Sequence, residues 1–445
     1  MTARSIFDPV IDQGIFDANF FEGRLLTADA LRDAQQAQTG RQKLLATAVG
    51  AGVAQGLRVR LEPDLTAGLL QTVTIEKGLA LDGEGNLLRL QQDLTADVVP
   101  PTQIPEAPAT LFARCADAAT PQPTVPVGVG LWILVMSPAS GYRGRAEKSG
   151  LGSEGKIIGC GSRWAVDGVR FRLEPLRPES MVSAGSDVRA QIVSLLQDTG
   201  TPASRSLLRN LVAHLCLGDP QPAFAADPFA RAAGASAVLD HGVLDDLRAV
   251  GRLGGCDVPL ALLLWNEGGV AFLDLWSVRR RPVPAPRSVD WPSLAAARES
   301  AEAEARFLQF QDHLQDLWSS EGAPVTAKAA DLFVRLPPIG FLPTAETAGQ
   351  AGFAPDAFFA GLTTRGPIFV EGARLKLLFR AALGAPAFDA ATSELVWIYR
   401  VRENAFAIDS GSGSPQAYRL FVNGHVPYLG DARYDAARWD YANYA

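Results

Sequence analysis

The sequence predicts an α+β, β-rich, multi-domain protein, in which an N-terminal helix feeds antiparallel β-domains and further helices occupy the central and C-terminal parts. Three observations carry that prediction. A helical stretch opens on a capping residue at Thr27 and closes at Gly50. Short apolar runs separated by Gly, Asp and Pro follow it, as in hairpin-connected strands. Helical periodicity then returns at residues 188–196, 204–217, 294–320 and 375–383. A chain of 445 residues suggests about three domains by length alone. Composition shifts divide it more finely: 1–105, helix and β-hairpin; 106–180, a β-domain; 181–285, a mixed region with a hairpin; 286–335, linker and amphipathic helix; 336–445, an α+β region with an aromatic tail. No internal repeat of solenoid length is present.

Thr27 is a good N-cap, Asp29 falls in the first turn where the helix dipole favours an anion, and Leu26 and Leu31 occupy staple positions. Leu31, Ala34, Leu45 and Ala48 leave only a thin apolar stripe, and Gln35, Gln36, Gln38 and Gln42 fill its middle. Such a helix suits either a neighbouring subunit or the chain's own body. The glycines at 50, 52 and 56 invite a nucleotide-binding reading, but that turn must leave a strand and enter a helix. Here it leaves a helix and enters the strand 57–61, so it predicts a helix C-cap and a tight turn.

Asp82-Gly83-Glu84-Gly85-Asn86 predicts a hairpin turn. Prolines at 100, 101, 105 and 108 mark a linker, followed by a strand at 111–114, a proline-rich loop at 121–126 and a buried strand at 130–136. The glycine-rich, charged segment 140–155 predicts an exposed loop, and 169–173 a half-buried strand. In the helix at 204–217, Leu207, Leu208, Leu211, Val212 and Leu215 share one face. Segments 258–264 and 270–278 predict a hairpin around Asn266-Glu267-Gly268-Gly269. The helix at 294–320 sets Phe307, Phe310, Leu314, Leu317 and Trp318 at heptad-like spacing, which fits a coiled coil and, more usually, packing on its own domain. A proline-rich apolar turn at 336–343 opens the C-terminal part. There a helix stops at Gly384 and Pro386, and strands at 395–401 and 418–422 flank a flexible loop at 410–414. Tyr434, Trp439, Tyr441 and Tyr444 make the tail aromatic.

The net charge of −7 argues against nucleic acid as a general partner, since phosphate binding needs a concentrated positive field. Arg279-Arg280-Arg281 reads as a solvated strand edge, with an anionic partner as the alternative. The four cysteines, 115, 160, 216 and 256, are widely spaced and read as reduced thiols of a cytosolic protein. No signal pattern opens the chain, and the longest apolar run, 258–265, is too short to span a bilayer.

The chemistry-bearing candidates fall away one by one. Gly150-Leu151-Gly152-Ser153-Glu154-Gly155-Lys156 fills a P-loop pattern until Ile157, which cannot supply the Mg²⁺-binding hydroxyl. His214, His241, His313 and His425 never pair at metal spacing, and no Gly-x-Ser-x-Gly elbow occurs. Asp245-Asp246 or Asp274 could join a glycosidase pair only through their separation in space. The sequence therefore predicts no catalytic residue, no metal site and no cofactor.

Several motifs resemble those of baseplate- and tail-associated proteins of phage-like contractile injection systems: Phe20-Phe21-Glu22-Gly23-Arg24-Leu25-Leu26-Thr27-Ala28-Asp29, the turn 50–59, and the strand pair 73–86. Cys160-Gly161-Ser162-Arg163, Cys256-Asp257-Val258-Pro259 with Trp265, and residues 274–280 look similar too, whereas Ala54-Gln55 stands where a bulkier apolar residue is usual. The resemblance implies a non-enzymatic structural component that meets other tail or baseplate subunits, or further copies of itself, without nucleic acid or a membrane span. It implies synthesis in the cytoplasm followed by assembly into a particle. Phe20, Phe21, Trp439 and Tyr441 are the candidate interface residues, because buried aromatics dominate interface energies. A cell-surface carbohydrate-binding module or glycan hydrolase of such a particle is the alternative, and a stand-alone assembly chaperone a third.

Overall fold

A computed structural model describes residues 15–25, 27–61, 72–98, 112–113, 129–149, 157–218, 242–266, 268–284, 297–320, 326–344, 351–392, 394–402 and 418–426. The near-P-loop at 150–156, the loop at 410–414, and the aromatic tail with Trp439 and Tyr441 lie outside these residues. The first helix, α1 (Ala28–Val49), starts as its sequence dictates: the Ala30 N–H donates to Thr27 Oγ1 at 3.1 Å. It stops at Gly50, whose φ of 98° is a glycine conformation and whose N–H donates to the Ala46 carbonyl at 3.0 Å. Its buried residues are Ala30 and Ala37, whereas Leu31 and Leu45 of the expected stripe are exposed. Small side chains let this helix lie close on one side and leave its bulky ones in solvent.

Six short strands follow in two antiparallel sheets. β1 (Gly52–Gly56), β4 (Gly78–Leu81) and β5 (Leu87–Leu90) form one, in the order β1-β4-β5. β2 (Val59–Leu61), β3 (Thr72–Ile75) and β6 (Leu94–Asp97) form the other, in the order β2-β3-β6. Their inward residues, among them Leu57, Val59, Ile75, Ala80 and Leu88, cover one face of the next sheet.

That central sheet takes its strands from both sides of residue 180. β7 (Phe112–Ala113), β8 (Gly130–Ser149) and β9 (Ile157–Leu176) come from before it, β10 (Val258–Asn266) and β11 (Gly269–Asp274) from after it, and β8 pairs antiparallel with β7, β9 and β10. Side-chain alternation sorts the continuous apolar run of β8 onto two faces. Trp132, Leu134 and Met136 meet the N-terminal strands, and Leu131, Ile133 and Val135 meet helices. Those helices are α2 (Ser186–Gln197), α3 (Pro202–Leu217) and α4 (Val243–Ala249). The hairpin around residues 266–269 forms as predicted, with Asn266 opposite Gly269. The exposed loop predicted from residue 140 is instead strand: β8 runs to Ser149 and β9 starts at Ile157, paired residue by residue beyond the edge of the core. Cross-strand hydrogen bonds satisfy the backbone there without burying side chains, so no apolar alternation betrays the strand.

The last part opens with α5 (Ala297–Ser320), α6 (Ala329–Leu332), β12 (Arg335–Leu336) and β13 (Ile339–Pro343). It continues with α7 (Pro355–Phe358), β14 (Thr363–Glu371), α8 (Gly372–Leu383), β15 (Phe388–Asp389), β16 (Leu395–Arg402) and β17 (Tyr418–Asn423). One sheet has the order β13-β17-β16-β14. Its β14–β16 pair is parallel, joined through α8 as a βαβ unit within the C-terminal α+β region. Phe310, Leu314 and Leu317 of α5 pack on one face with Phe333, Phe358 and Phe421, while Phe307 meets Phe379 edge-to-face beside the other. The heptad-like spacing of α5 thus serves its own chain. The whole is an α+β, multi-sheet protein, and among the described residues no helix is long and apolar enough to cross a membrane.

Candidate interaction surfaces and the polar junction

The motifs that stood out in the sequence meet in space. The buried Asp82 carboxylate accepts the backbone N–H groups of Glu84 and Asn86 and the Asn86 side-chain amide, which closes the β4–β5 turn. The same turn touches the Gly254–Asp257 corner, with the Gly83 N–H donating to the Gly255 carbonyl at 2.7 Å and the Asn86 amide 4.0 Å from Cys256 Sγ. Gly85 lies against the last turns of α1, where a Cβ would sit 2.3 Å from the Lys43 carbonyl oxygen. Gly50 lies so close to Val283 that a Cβ would fall 1.8 Å from its carbonyl oxygen. The glycines are there for close backbone approach.

The arginine run belongs to this junction. Arg279 donates to the Gly56 and Leu57 carbonyls, and Arg280 to those of Cys216, Trp276 and Ser277. Burial pushes the pKa of both down to about 10. Only Arg281 behaves as a surface group, paired with Glu304 at 2.8 Å. The expected solvated edge is therefore corrected: two of the three guanidinium groups bind main-chain carbonyls left open where strand and turn end. The cysteines need a correction as well, since Cys256 is disulfide-bonded and Cys216 is a buried free thiol pushed up to about 12 by desolvation. Separation along the chain says nothing about separation in space, which is what a disulfide requires.

A second buried cluster ties α3, β11 and α5 together. Arg209 Nε donates to Asp274 at 2.6 Å and its Nη1 to Asp316 at 2.7 Å. Asp274 also accepts from the Ser277 N–H and hydroxyl and from the Gln309 amide. Burial would raise its pKa, but Arg209 and these donors hold it below the usual carboxylate range. Of the carboxylates considered for glycan chemistry, Asp274 is thus consumed inside the fold. Asp245 binds Arg248 and Arg298, and Asp246 accepts the Ser183 N–H.

Beside this cluster opens a cleft of about 460 Å³, lined by Arg58, Arg205, Ser206, Asp312, His313 and Asp316 among others. Burial raises the Asp312 pKa, against the opposing hydrogen bond from Trp276 Nε1 at 2.8 Å. Ser206 and His313 look like a nucleophile and its base but are wired in reverse. Ser206 Oγ donates to the Leu332 carbonyl at 2.7 Å, so at 2.9 Å it accepts from His313 Nε2. A base must accept the serine proton instead. Burial, then Arg209, pushes the His313 pKa well below its ordinary value; burial, then Arg306 and Arg335, does the same at His214. No group of three or more metal-ligating side chains occurs among the described residues.

Among the described residues, exposed large apolar side chains cluster in two places, and others such as Leu87, Val182 and Leu377 are scattered singly. One is residues 15–49, with Ile15, Phe16, Phe20, Phe21, Leu25, Leu31, Leu44, Leu45 and Val49; Phe20 is 50% exposed and Phe21 64%. The other is the outer half of the β8–β9 ribbon, where Tyr142 is 72% and Trp164 58% exposed, Val166 lies nearby and Arg163 sits 5.2 Å over the Trp164 ring. Sequence reasoning singled out Phe20 and Phe21 but passed over Tyr142 and Trp164, whose segments it read as loop or left unassigned. Trp439 and Tyr441 fall outside the described residues, so only half of the proposed aromatic set has a place in the fold. Fold and surfaces define an α+β protein with apolar cores, two buried polar clusters, and some large apolar side chains left exposed on α1, the segment before it and the β8–β9 ribbon. No protein-family model matches the sequence, and no curated protein matches it.

Proposed function

We propose that this chain is a non-enzymatic structural component of a contractile, phage-tail-like injection particle, associated with its baseplate or tail and acting through protein–protein contacts. The observation that carries the reading is the concentration of large exposed side chains on α1, the segment before it and the β8–β9 ribbon. Clusters of exposed large apolar side chains are a mark of interaction sites. The resemblance of the Gly50–Gly56, Asp82–Asn86 and Cys256–Asp257 motifs to tail-associated proteins supports it, because these motifs pack together at one joint with the end of α1. Mass spectrometry of purified sheath-bearing particles, read with the neighbours of the encoding gene, tests the reading; absence of the chain from intact particles overturns it. A deletion of residues 434–445 is expected to leave the body folded and to block incorporation, and recovery of the truncated chain in particles would remove the tail from the interface.

A glycan hydrolase has one observation in its favour: Asp312 and Asp316 line the cleft one helical turn apart. Asp316 is engaged by Arg209, and Asp312 by Trp276 with Arg58 3.8 Å away. Release of reducing sugar from cell-wall glycan, lost in Asp312→Asn, would favour this reading over the first.

A further inference from the structure

The exposed side of α1 carries an ordered pattern. Leu31, Gln35, Gln38, Gln42, Leu45 and Val49 recur at spacings of four, three, four, three and four, the a/d alternation of a coiled-coil seam, and all six are exposed. The seam is about 27 Å long by the helical rise. Ala30 and Ala37, the buried residues of this helix, lie about 100° round from it, so the seam is not the covered side of the helix.

We infer that α1 is a self-association helix, pairing in parallel and in register with α1 of a second copy of this chain. The order of layers selects both partner and direction. In parallel register every layer meets its own kind: leucine on leucine at 31 and 45, valine on valine at 49, and amide on amide at 35, 38 and 42. A side-chain amide can donate and accept at once, so two glutamines across a seam satisfy each other. Antiparallel pairing about the same centre sets Gln35 against Leu45 and buries an amide without a partner, a cost that a symmetric parallel pair avoids. A helix of unrelated sequence would have to reproduce three amide layers in order.

Charge agrees with this choice. The cations flanking the seam are Arg32 and Arg41, and each is neutralised within its own chain, by Asp29 at 2.5 Å and by Asp17 at 2.9 Å. Two copies therefore approach without opposed bare charges. Polar layers in half of the seam make the pair weak and specific, as buried amides do in coiled coils. Such a contact gains most where copies are already held at high local concentration, as in a particle. The inference deepens the structural-protein reading by naming the partner of one of its surfaces.

Site-directed cross-linking of the full-length chain tests it. Under mild oxidation, Gln38→Cys is expected to form a covalent dimer about ten-fold faster than Asp33→Cys on the outer side of α1, with the unsubstituted chain as baseline for the native cysteines. A mixture of Gln35→Cys and Leu45→Cys is expected to give only like-with-like products. A mixed 35–45 dimer would overturn the parallel register, and equal rates at 38 and 33 would overturn the self-association. Gln38→Leu with Gln42→Leu is expected to lower the concentration needed for dimer in sedimentation equilibrium about ten-fold or more; a chain that stays monomeric in that variant also overturns the inference. Recovery of the chain from particles is a separate readout, so failure of the pairing leaves the structural reading to stand or fall by itself.

Discussion

The joint made by the two buried polar clusters, and the exposed elements, namely α1 with the segment before it and the β8–β9 ribbon, use their residues in opposite ways. At the joint, Arg209, Arg279, Arg280, Asp82 and Asp274 are each bonded to two or more internal partners. On α1, the segment before it and the β8–β9 ribbon, leucine, phenylalanine, tyrosine and tryptophan side chains stand in solvent. Buried charges in the one and exposed large apolar groups in the other are the two departures from the usual distribution, set against cores that are apolar throughout. The difference separates what holds the fold from what the fold presents, and each class answers differently to mutation.

The largest loss belongs to the joint. Asp274 is 1% exposed and holds Arg209, Ser277 and Gln309 together. Arg209→Ala leaves that carboxylate buried without its cation, and is expected to cost about 3–5 kcal/mol in denaturant unfolding. The paired replacement Arg209→Met with Asp274→Leu should recover much of this, because an apolar pair avoids desolvating either charge. Equal losses in the single and double variants would show that packing, not charge, sustains the joint.

Glycines of positive φ in the two regions allow a finer comparison. Gly50 (φ 98°) has the Val283 and Pro284 backbone against it, whereas Gly23 (φ 84°), in the segment before α1, has nothing within 4 Å of a built Cβ. Gly23→Ala bears only the conformational cost, about 1–2 kcal/mol at most. Gly50→Ala adds a steric clash with backbone and is expected to cost more, detaching the end of α1 from Val283. Hydrogen exchange along residues 46–53 is expected to rise in Gly50→Ala and to stay unchanged in Gly23→Ala.

The two buried histidines tie the joint to pH. His214 and His313 have folded pKa values far below their unfolded ones, so below about pH 6.5 the unfolded chain binds more protons than the folded chain. Stability therefore falls on acidification, by about 1.4 kcal/mol per pH unit for each histidine once the unfolded groups are protonated. Asp274 adds a further loss only at lower pH, as it falls through that carboxylate's depressed folded pKa. Denaturation midpoints between pH 7.5 and 5 should decline, and His313→Gln should flatten the slope relative to the parent.

What the sequence could disclose follows the same division. The ends of α1 and the hairpin at 266–269 were legible because caps and turns are local chemistry. The central strands were legible because burial on both faces leaves a continuous apolar run. The burial of Arg279 and Arg280 was not, since the carbonyls they bind come from segments up to about 220 residues away in the chain. The disulfide at Cys256 and the parallel β14–β16 pair escaped for the same reason, being facts about distance in space. Phe20 and Phe21 were legible as aromatics, but nothing local told exposed ones from buried ones such as Phe358 and Phe359.

The smallest effect on stability is expected at the ribbon, and there the comparison is sharpest. Tyr142 and Trp164 contribute little to any core, so Tyr142→Ser with Trp164→Ser should leave the unfolding midpoint within about 0.5 kcal/mol of the parent for each change. A two-stranded ribbon is marginal in water without a third strand or a packed face, and among the described residues β7 alone joins its outer half, at residues 140–141. If the ribbon is a contact element, the double variant keeps its fold and its α1 pairing yet is lost from particles, because tryptophan and tyrosine carry most of the energy at such contacts. If it is only an extension of the central sheet, the variant is incorporated like the parent, and the interface contracts to α1 and the segment that precedes it.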